Sequence, residues 1–375
     1  MKLAEKKLGF GCMRLPKTDG KIDETQLCEM VDYFLAHGFT YFDTAHGYHE
    51  GKSELALKAC LTTRHPREAY TITNKLTTPY FKTQADIRPF FEQQLAWCGV
   101  EYFDYYLMHA QDSGNYPHFT KHRAYETALE LKKEGKIKHF GISFHDTAQM
   151  LQTILDDHPE IEVVQLQFNY VDYEDSAVQA RKCYELCRQY GKSVIVMEPV
   201  KGGSLVNLPQ EAQSIFDALH GGSNASYAIR FAAGFEGVEM VLSGMSNLEQ
   251  VKDNVSYMSD FKPLNETEQA AIEKVCAVFK SMDIISCTAC RYCVAGCPQN
   301  IYIPDLFSCL NQKKAFGSWN QDYYYEIFTT NKGKAKDCIG CGKCESACPQ
   351  HLPIRELLKT VSEEFDTRAP EAEPS

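Results

Sequence analysis

Short apolar runs, rich in β-branched and aromatic side chains, recur through the first 245 residues, and stretches with helical periodicity separate them. The runs at residues 9–13, 40–42, 70–73, 103–108, 139–142, 163–166, 193–196 and 240–242 predict eight strands. Periodicity near 3.6 predicts helices at 24–37, 53–61, 85–97, 125–134, 148–156, 176–190 and 224–233. Eight strand–helix units in one domain predict the α/β class and a (β/α)8 TIM barrel. An open doubly wound sheet is the competing architecture, but no Gly-x-Gly-x-x-Gly follows a strand and opens a helix. The order of elements repeats, whereas the sequence itself does not.

The pattern changes at residues 261–265. Pro263 ends the last barrel helix, and Asn265 with Glu268 forms a capping-box signature for a helix over 266–282. That helix runs into Cys287-x-x-Cys290-x-x-Cys293-x-x-x-Cys297-Pro298, a spacing that returns as Cys338-x-x-Cys341-x-x-Cys344-x-x-x-Cys348-Pro349. Three thiolates in one short loop wrap three corners of a cube, and the Cys-Pro step turns the fourth away. The doubled run predicts two [4Fe–4S] clusters with crossed fourth ligands, as in bacterial two-cluster ferredoxins. One cluster takes Cys287, Cys290, Cys293 and Cys348, and the other takes Cys338, Cys341, Cys344 and Cys297. Structural zinc prefers two separated Cys-x-x-Cys pairs, and disulfides belong mainly to small secreted domains. The forty residues between the runs, with helical segments at 303–311 and 323–329, predict a mostly α-helical ferredoxin-like domain. Gly340 and Gly342 let the backbone bend around the second cluster. The expected domains are a barrel over 1–264, the cluster domain over 265–366 and a disordered Pro/Glu-rich tail over 367–375.

Composition narrows the setting. The formal net charge of −11 disfavours nucleic acid. No apolar run has the length of a membrane span, and MKLAEKKLGF carries no apolar signal region. With cluster-type cysteines, the expectation is a cytoplasmic protein. The remaining eight cysteines (Cys12, Cys28, Cys60, Cys98, Cys183, Cys187, Cys276, Cys309) read mostly as small core residues.

Chemistry in such barrels sits at the C-terminal ends of the strands. The second strand leads to Asp43 and then Tyr48, the third to Lys75 and the fourth to His109. The later strands lead to Ser143, Gln165, Glu198 and Ser243. A phenol of pKa about 10 becomes a better acid beside an ammonium. The set therefore suits carbonyl chemistry, with Tyr48 as general acid, Lys75 beside it, Asp43 holding Lys75 and His109 bonding the carbonyl oxygen. Each residue also has a plain role: Asp43 as a helix cap, Tyr48 as loop packing, His109 as a structural histidine. A lysine aimed into a barrel mouth is the least easily explained that way.

The segment Tyr41-Phe42-Asp43-Thr44-Ala45-His46-Gly47-Tyr48, Lys75 in Thr73-Asn74-Lys75-Leu76 and His109 in Tyr106-Leu107-Met108-His109 resemble the aldo-keto reductase family. Ser53-Glu54 and Gly141-Ile142-Ser143 fit as well. The resemblance covers about residues 5–260, and the whole chain resembles the branch with an added C-terminal iron–sulfur module. It implies NAD(P)H-dependent reduction of aldehydes and ketones by an Asp43/Tyr48/Lys75/His109 tetrad. It also implies that Ser143 and Gln165 hold the nicotinamide carboxamide. The stretch Ser243-Gly244-Met245-Ser246, continuing through Gln250 to Asn254, would form the adenine and 2′-phosphate segment. Three positions depart from the family. Met197 stands where an aromatic ring usually stacks, Ser246 stands near the usual basic residue, and Phe144 replaces an Asn. Glu198 is either a cofactor-side acid or a strand-end acid paired with Lys201. Gly202 and Gly203 suit a turn around a pyrophosphate.

The cofactor thus stays open between NADP, NAD and flavin, and a nicotinamide moves two electrons where a cluster moves one. The leading expectation is an iron–sulfur oxidoreductase acting on a small carbonyl or alcohol, with an electron-transfer protein as a further partner. The alternatives are an enzyme with structural clusters, or an electron-transfer or redox-sensing protein on an idle barrel. Tyr116, Phe119, Phe316, Trp319 and Tyr323-Tyr324-Tyr325 are candidates for a pocket or for packing.

Overall fold

The computed structural model describes residues 4–175, 178–282, 284–285, 287, 291–316, 320–348 and 352–367. Cys290, Pro349, Trp319 and nearly all of the predicted disordered tail lie outside them, as do the side chains of Phe316 and Tyr323. The chain divides into two compact units, one of Met1–Val206 with His220–Ile272, the other of Asn207–Leu219 with Glu273–Ser375. Residues 207–219 cluster with the second unit, whereas the sequence predicts them within the barrel over 1–264.

The first unit is a closed barrel of eight parallel strands. These are β1 Leu8–Gly11, β2 Tyr41–Asp43, β3 Thr71–Leu76, β4 Phe103–Gln111, β5 Ile137–Phe144, β6 Val163–Gln167, β7 Ser193–Met197 and β8 Val238–Ser243. Each pairs with its sequence neighbour, and β8 closes on β1 through Leu8 opposite Val241. Alternate side chains face inward and outward. Tyr41, Tyr105, Leu107, Val163, Ile195, Met240 and Leu242 pack together inside the barrel, as a filled core rather than a pore. Phe42, Tyr106, Ile142, Val164, Val194 and Val241 face the surrounding helices in the larger core. Gly141 marks the tightest strand approach, because a Cβ there would lie 2.3 Å from the Val163 carbonyl oxygen.

The strands differ from expectation at their ends. β3 continues past residue 73 to Leu76 and β4 past 108 to Gln111, so Lys75 and His109 lie within strands rather than after them. Residues 12 and 13, expected in the first strand, belong instead to a 3-10 turn over Cys12–Arg14. The helix expected to start at 176 spans Ala180–Gln189, after Gln179 adopts a left-handed conformation (φ 52°). The capping box at Asn265 is reciprocal: Asn265 N donates to Glu268 Oε2 at 2.8 Å and Glu268 N to Asn265 Oδ1 at 3.0 Å.

The second unit is mostly helical. Its longer helices are Ile303–Phe316, Asn320–Thr329 and Ile354–Phe365. Leu306, Phe307, Leu310, Tyr325, Leu358 and Val361 form its core together with Cys293, Cys344 and Cys348. Two one-turn helices, Tyr292–Ala295 and Lys343–Ser346, occupy the same place in the two cysteine runs. Among the described residues, no helix is long and apolar enough to cross a membrane.

Candidate functional site

The barrel's period of two assembles the mouth. Asp43, Lys75, His109, Ser143 and Gln165 each stand two residues beyond Tyr41, Thr73, Leu107, Gly141 and Val163, and so return to the inner side. Lys75 is fully buried, and its Nζ lies 2.5 Å from Asp43 Oδ1, 2.8 Å from the Thr44 carbonyl oxygen and 3.4 Å from Tyr48 OH. Asp43 Oδ2 accepts from Gln165 Nε2 at 3.0 Å. His109 faces the Tyr48 ring edge-on at 6.0 Å between centroids. Thr77 Oγ1 lies 2.7 Å from His109 Nδ1. Tyr48 itself is placed by a turn that runs through three left-handed residues, His49, Glu50 and Gly51. His49 Nε2 anchors that turn by accepting from Leu15 N at 3.2 Å.

The charges follow from burial and pairing. Burial pulls the Lys75 ammonium down, but Asp43 and Tyr48 outweigh it, so its pKa lies above the usual lysine value. Burial pushes the Tyr48 phenol up, and Lys75 opposes this without reversing it. The expected lowering of the Tyr48 pKa is therefore corrected: desolvation wins, and the phenol stays protonated. Burial, then the Lys75 charge, pushes His109 down to about 3, so the imidazole is neutral.

The candidate cofactor residues are placed unevenly. Ser143 Oγ accepts from Ala110 N at 2.7 Å, across a bulge where Ala110 takes φ 50°, and its hydroxyl proton remains available to donate. Ser243 Oγ accepts from Asn254 Nδ2 at 2.6 Å, and Asn254 Oδ1 accepts from Tyr257 OH at 2.5 Å, which joins these two residues to one buried chain. Gln250 Oε1 accepts from Ser246 N at 2.7 Å, and Ser246 Oγ donates to the Arg14 carbonyl at 2.9 Å. Met197 and Glu198 are half-buried at the end of β7. Lys201 pairs with Asp172 at 2.6 Å, not with Glu198, because Asn169 and Gln167 hold the Asp172 carboxylate toward it. Gly202 and Gly203 adopt φ 64° and 102°. Gly244 lies beside the Arg14 side chain, and a Cβ on Gly202 would lie 3.1 Å from Arg14 Nη2. An exposed guanidinium beside a glycine turn at the mouth fits a diphosphate-bearing cofactor.

Sequence reasoning missed Thr77, Arg14, Asp172 and the network around Glu54. Glu54 Oε1 accepts from Asn74 Nδ2 at 2.7 Å and Gln94 Nε2 at 3.0 Å, while Oε2 meets His46 Nδ1 at 2.6 Å. Gln94 also donates to the Lys75 carbonyl at 3.1 Å, which fixes the backbone that carries the buried ammonium. The Ser53-Glu54 pair was the one visible signal. Tyr116 and Phe119 are buried packing residues on the helix Tyr116–Lys121, and Tyr116 OH donates to Asp157 at 2.6 Å.

In the second unit, Cys297 from the first run joins Cys338, Cys341 and Cys344 from the second around one hollow. Ile301, Ile303 and Leu358 give it apolar walls. Among the described residues, no three His, Cys, Asp or Glu side chains gather as they would around a metal ion. A cube that binds each thiolate through a different iron instead needs sulfurs spread around a volume, and four cysteines lining one hollow suit that donor set. The turns match too: Arg291 and Gly342, at equivalent places, both take left-handed φ (62° and 74°). Of the scattered cysteines, Cys12, Cys60, Cys98, Cys183, Cys187 and Cys309 are buried, and Cys28 and Cys276 are partly exposed.

The profile of the Aldo/keto reductase family matches residues 7–277, and that of a 4Fe-4S dicluster domain matches residues 286–352. A probable aldo-keto reductase of Glycine max is 32% identical over 213 residues, covering 52% of this chain and 56% of that protein. An uncharacterized oxidoreductase of Bacillus subtilis is 27% identical over 189 residues, covering 49% of this chain and 62% of that protein. The chain thus spans little more than half the length of these curated relatives. Among solved structures, an aldo-keto reductase from Bacillus halodurans in its holo form superposes with TM-score 0.59 at 24% identity, covering 73% of this chain and 95% of that one. An aldo-keto reductase from Klebsiella pneumoniae in complex with NADPH gives TM-score 0.58 at 19% identity, with coverage of 72% and 90%. These likenesses concern the fold.

Proposed function

The chain belongs to the aldo/keto reductase family, and from that premise we propose that it is an iron–sulfur oxidoreductase that reduces a small carbonyl compound or oxidises the matching alcohol. The observation that carries this reading is the buried chain Asp43–Lys75–Tyr48, with His109 at the same mouth. Tyr48, protonated because it is desolvated, donates its proton to the carbonyl oxygen. Lys75 stabilises the phenolate left behind, and Asp43 with Gln165 keeps Lys75 in place. With Thr77 donating to Nδ1 of neutral His109, the Nε2 proton is free to bond the carbonyl oxygen and orient it. A reduced nicotinamide, when bound, supplies the hydride to the carbonyl carbon. Ser143 and the Oε1 of Gln165 suit its carboxamide, and Arg14 with the Gly202–Gly203 turn suits its diphosphate. NADP is the favoured form, by likeness to the NADPH complex.

In the second unit, Cys287, Cys290, Cys293 and Cys348 would hold one [4Fe–4S] cluster, and Cys338, Cys341, Cys344 and Cys297 the other. Such clusters store single electrons, which supports a one-electron carrier as a partner and a reducing, cytoplasmic setting as part of this reading. Tyr48→Phe tests the reading. Carbonyl reduction should fall by roughly 10²–10⁴-fold, while iron content and cluster absorbance stay at wild-type levels. Unchanged turnover in that variant would overturn the acid assignment and favour an electron-transfer module on an idle barrel.

A further inference from the structure

The two cysteine runs build equivalent turns, and the second brings one of its sulfurs to the surface. Cys293, Cys344 and Cys348 are only 6%, 7% and 9% exposed. Cys341 is exposed, and Ile339, inside the same loop, has 62% of its surface in solvent. The cavity lined by Cys297, Cys338, Cys341 and Cys344 therefore lies against the protein surface. Besides the thiols, Arg355 is the one side chain among the described residues lining it that carries a charge.

Arg355 is not a loose surface cation. Its Nε donates to Glu345 Oε2 at 2.9 Å, its Nη2 lies 2.7 Å from the same oxygen, and its backbone N donates to Glu345 Oε1 at 2.9 Å. One carboxylate thus grips both the main chain and the guanidinium, and little rotamer freedom is left. A Cβ on Gly342 would lie 3.9 Å from the guanidinium carbon, which places the cation beside the turn that carries Cys341 and Cys344. Each electron added to a thiolate-ligated cube makes it more negative. A fixed cation at its edge stabilises the reduced form, and net charge and solvent exposure are what set such potentials.

We propose that the Cys297/Cys338/Cys341/Cys344 site is the outward-facing electron port of this module, and that Arg355 is the positioning cation that raises its potential above that of the Cys287/Cys290/Cys293/Cys348 site. A soluble one-electron carrier loses the electron that this cube gains, and the reverse transfer returns it. The inference rests on the cluster reading above.

The test uses the full chain, prepared anaerobically and assayed for iron and sulfide. A potentiometric titration is followed by electron paramagnetic resonance, with and without a soluble dysprosium complex that broadens the signals of exposed centres. Two reductions are expected, and the one at higher potential should be broadened. Arg355→Gln should lower that potential alone, Arg355→Lys should largely keep it, and Glu345→Gln should raise it. Disruption of the loop cannot give opposite signs for Arg355→Gln and Glu345→Gln, so a downward shift in both would overturn the charge assignment. Unmoved potentials in Arg355→Gln, or broadening of the lower-potential signal, would overturn the proposal while leaving the clusters in place. Wild-type protein without iron would instead defeat the cluster reading.

Discussion

A lysine with none of its side chain in water is tolerated only when a counter-charge is in contact with it. Lys75 meets that condition through Asp43, whose own carboxylate is also nearly all buried. Removing one partner leaves the other charge stranded. Asp43→Asn should therefore destabilise the barrel by about 3–5 kcal/mol, read as a lower urea midpoint. Adding Lys75→Met should restore part of that loss, because the two residues form one unit. An Asp43→Asn variant as stable as wild type would show that Lys75 is neutral or solvated. At this scale the sequence disclosed the residues that end parallel strands, because the barrel brings all such ends to one mouth. It did not disclose Thr77, Arg14 or Asp172. Their roles come from neighbours on other elements: His109 across 32 positions, the glycine turn at 202, and Lys201. The direction of the Tyr48 pKa was also hidden, because spacing shows the ammonium next to it but not the desolvation around it.

At the scale of elements, the eight strands and the cysteine turns were legible because each is a local pattern, of period two or of fixed spacing. Strand ends were not, since β3 and β4 extend through polar residues that only pairing across the barrel can stabilise. Register is equally invisible in one chain, yet it makes some glycines obligatory. Ile301 bridges to Gly333 between the two cysteine runs. A Cβ on Gly333 would lie 2.3 Å from the Gln299 carbonyl oxygen and 2.8 Å from Ile301. The neighbour is backbone, so relief requires the bridge to open. Gly333→Ala should then shift the 297–301 segment that carries Cys297, and thermal unfolding of the cluster domain should begin at lower temperature. Gly342→Ala has space around it and bears only the cost of a left-handed conformation, roughly 1–2 kcal/mol. Equal losses from the two substitutions would mean that contact with Gln299 is not what constrains residue 333.

For the whole molecule, the net charge of −11 says little about acid sensitivity, which depends on groups whose pKa differs between folded and unfolded chains. His109 titrates at about 3 when folded and near 6.5 when unfolded. Between those values the unfolded chain binds the extra proton, so stability is full above about pH 6.5 and falls as pH drops toward 3. His49 and His145, both lowered mainly by burial, act in the same direction. Glu162 takes over at lower pH. Burial pushes it up, but hydrogen bonds from His139, Lys132 and Phe140 N bring it down to about 2. Its contribution is present above about pH 4.5 and is lost as pH falls through 2. The barrel should therefore lose about 1–2 kcal/mol between pH 7 and pH 5. His109→Gln should flatten that slope without removing it, and Glu162→Gln should leave it intact while weakening the fold at every pH above 5. Trp97, stacked 4.3 Å from His46, reports on the barrel. Urea unfolding followed by its fluorescence in a Trp319→Phe background, where it is the remaining tryptophan, isolates this unit from the cluster domain. An unaltered slope in His109→Gln would place the titrating group elsewhere and would remove the argument that His109 meets the substrate as a neutral donor.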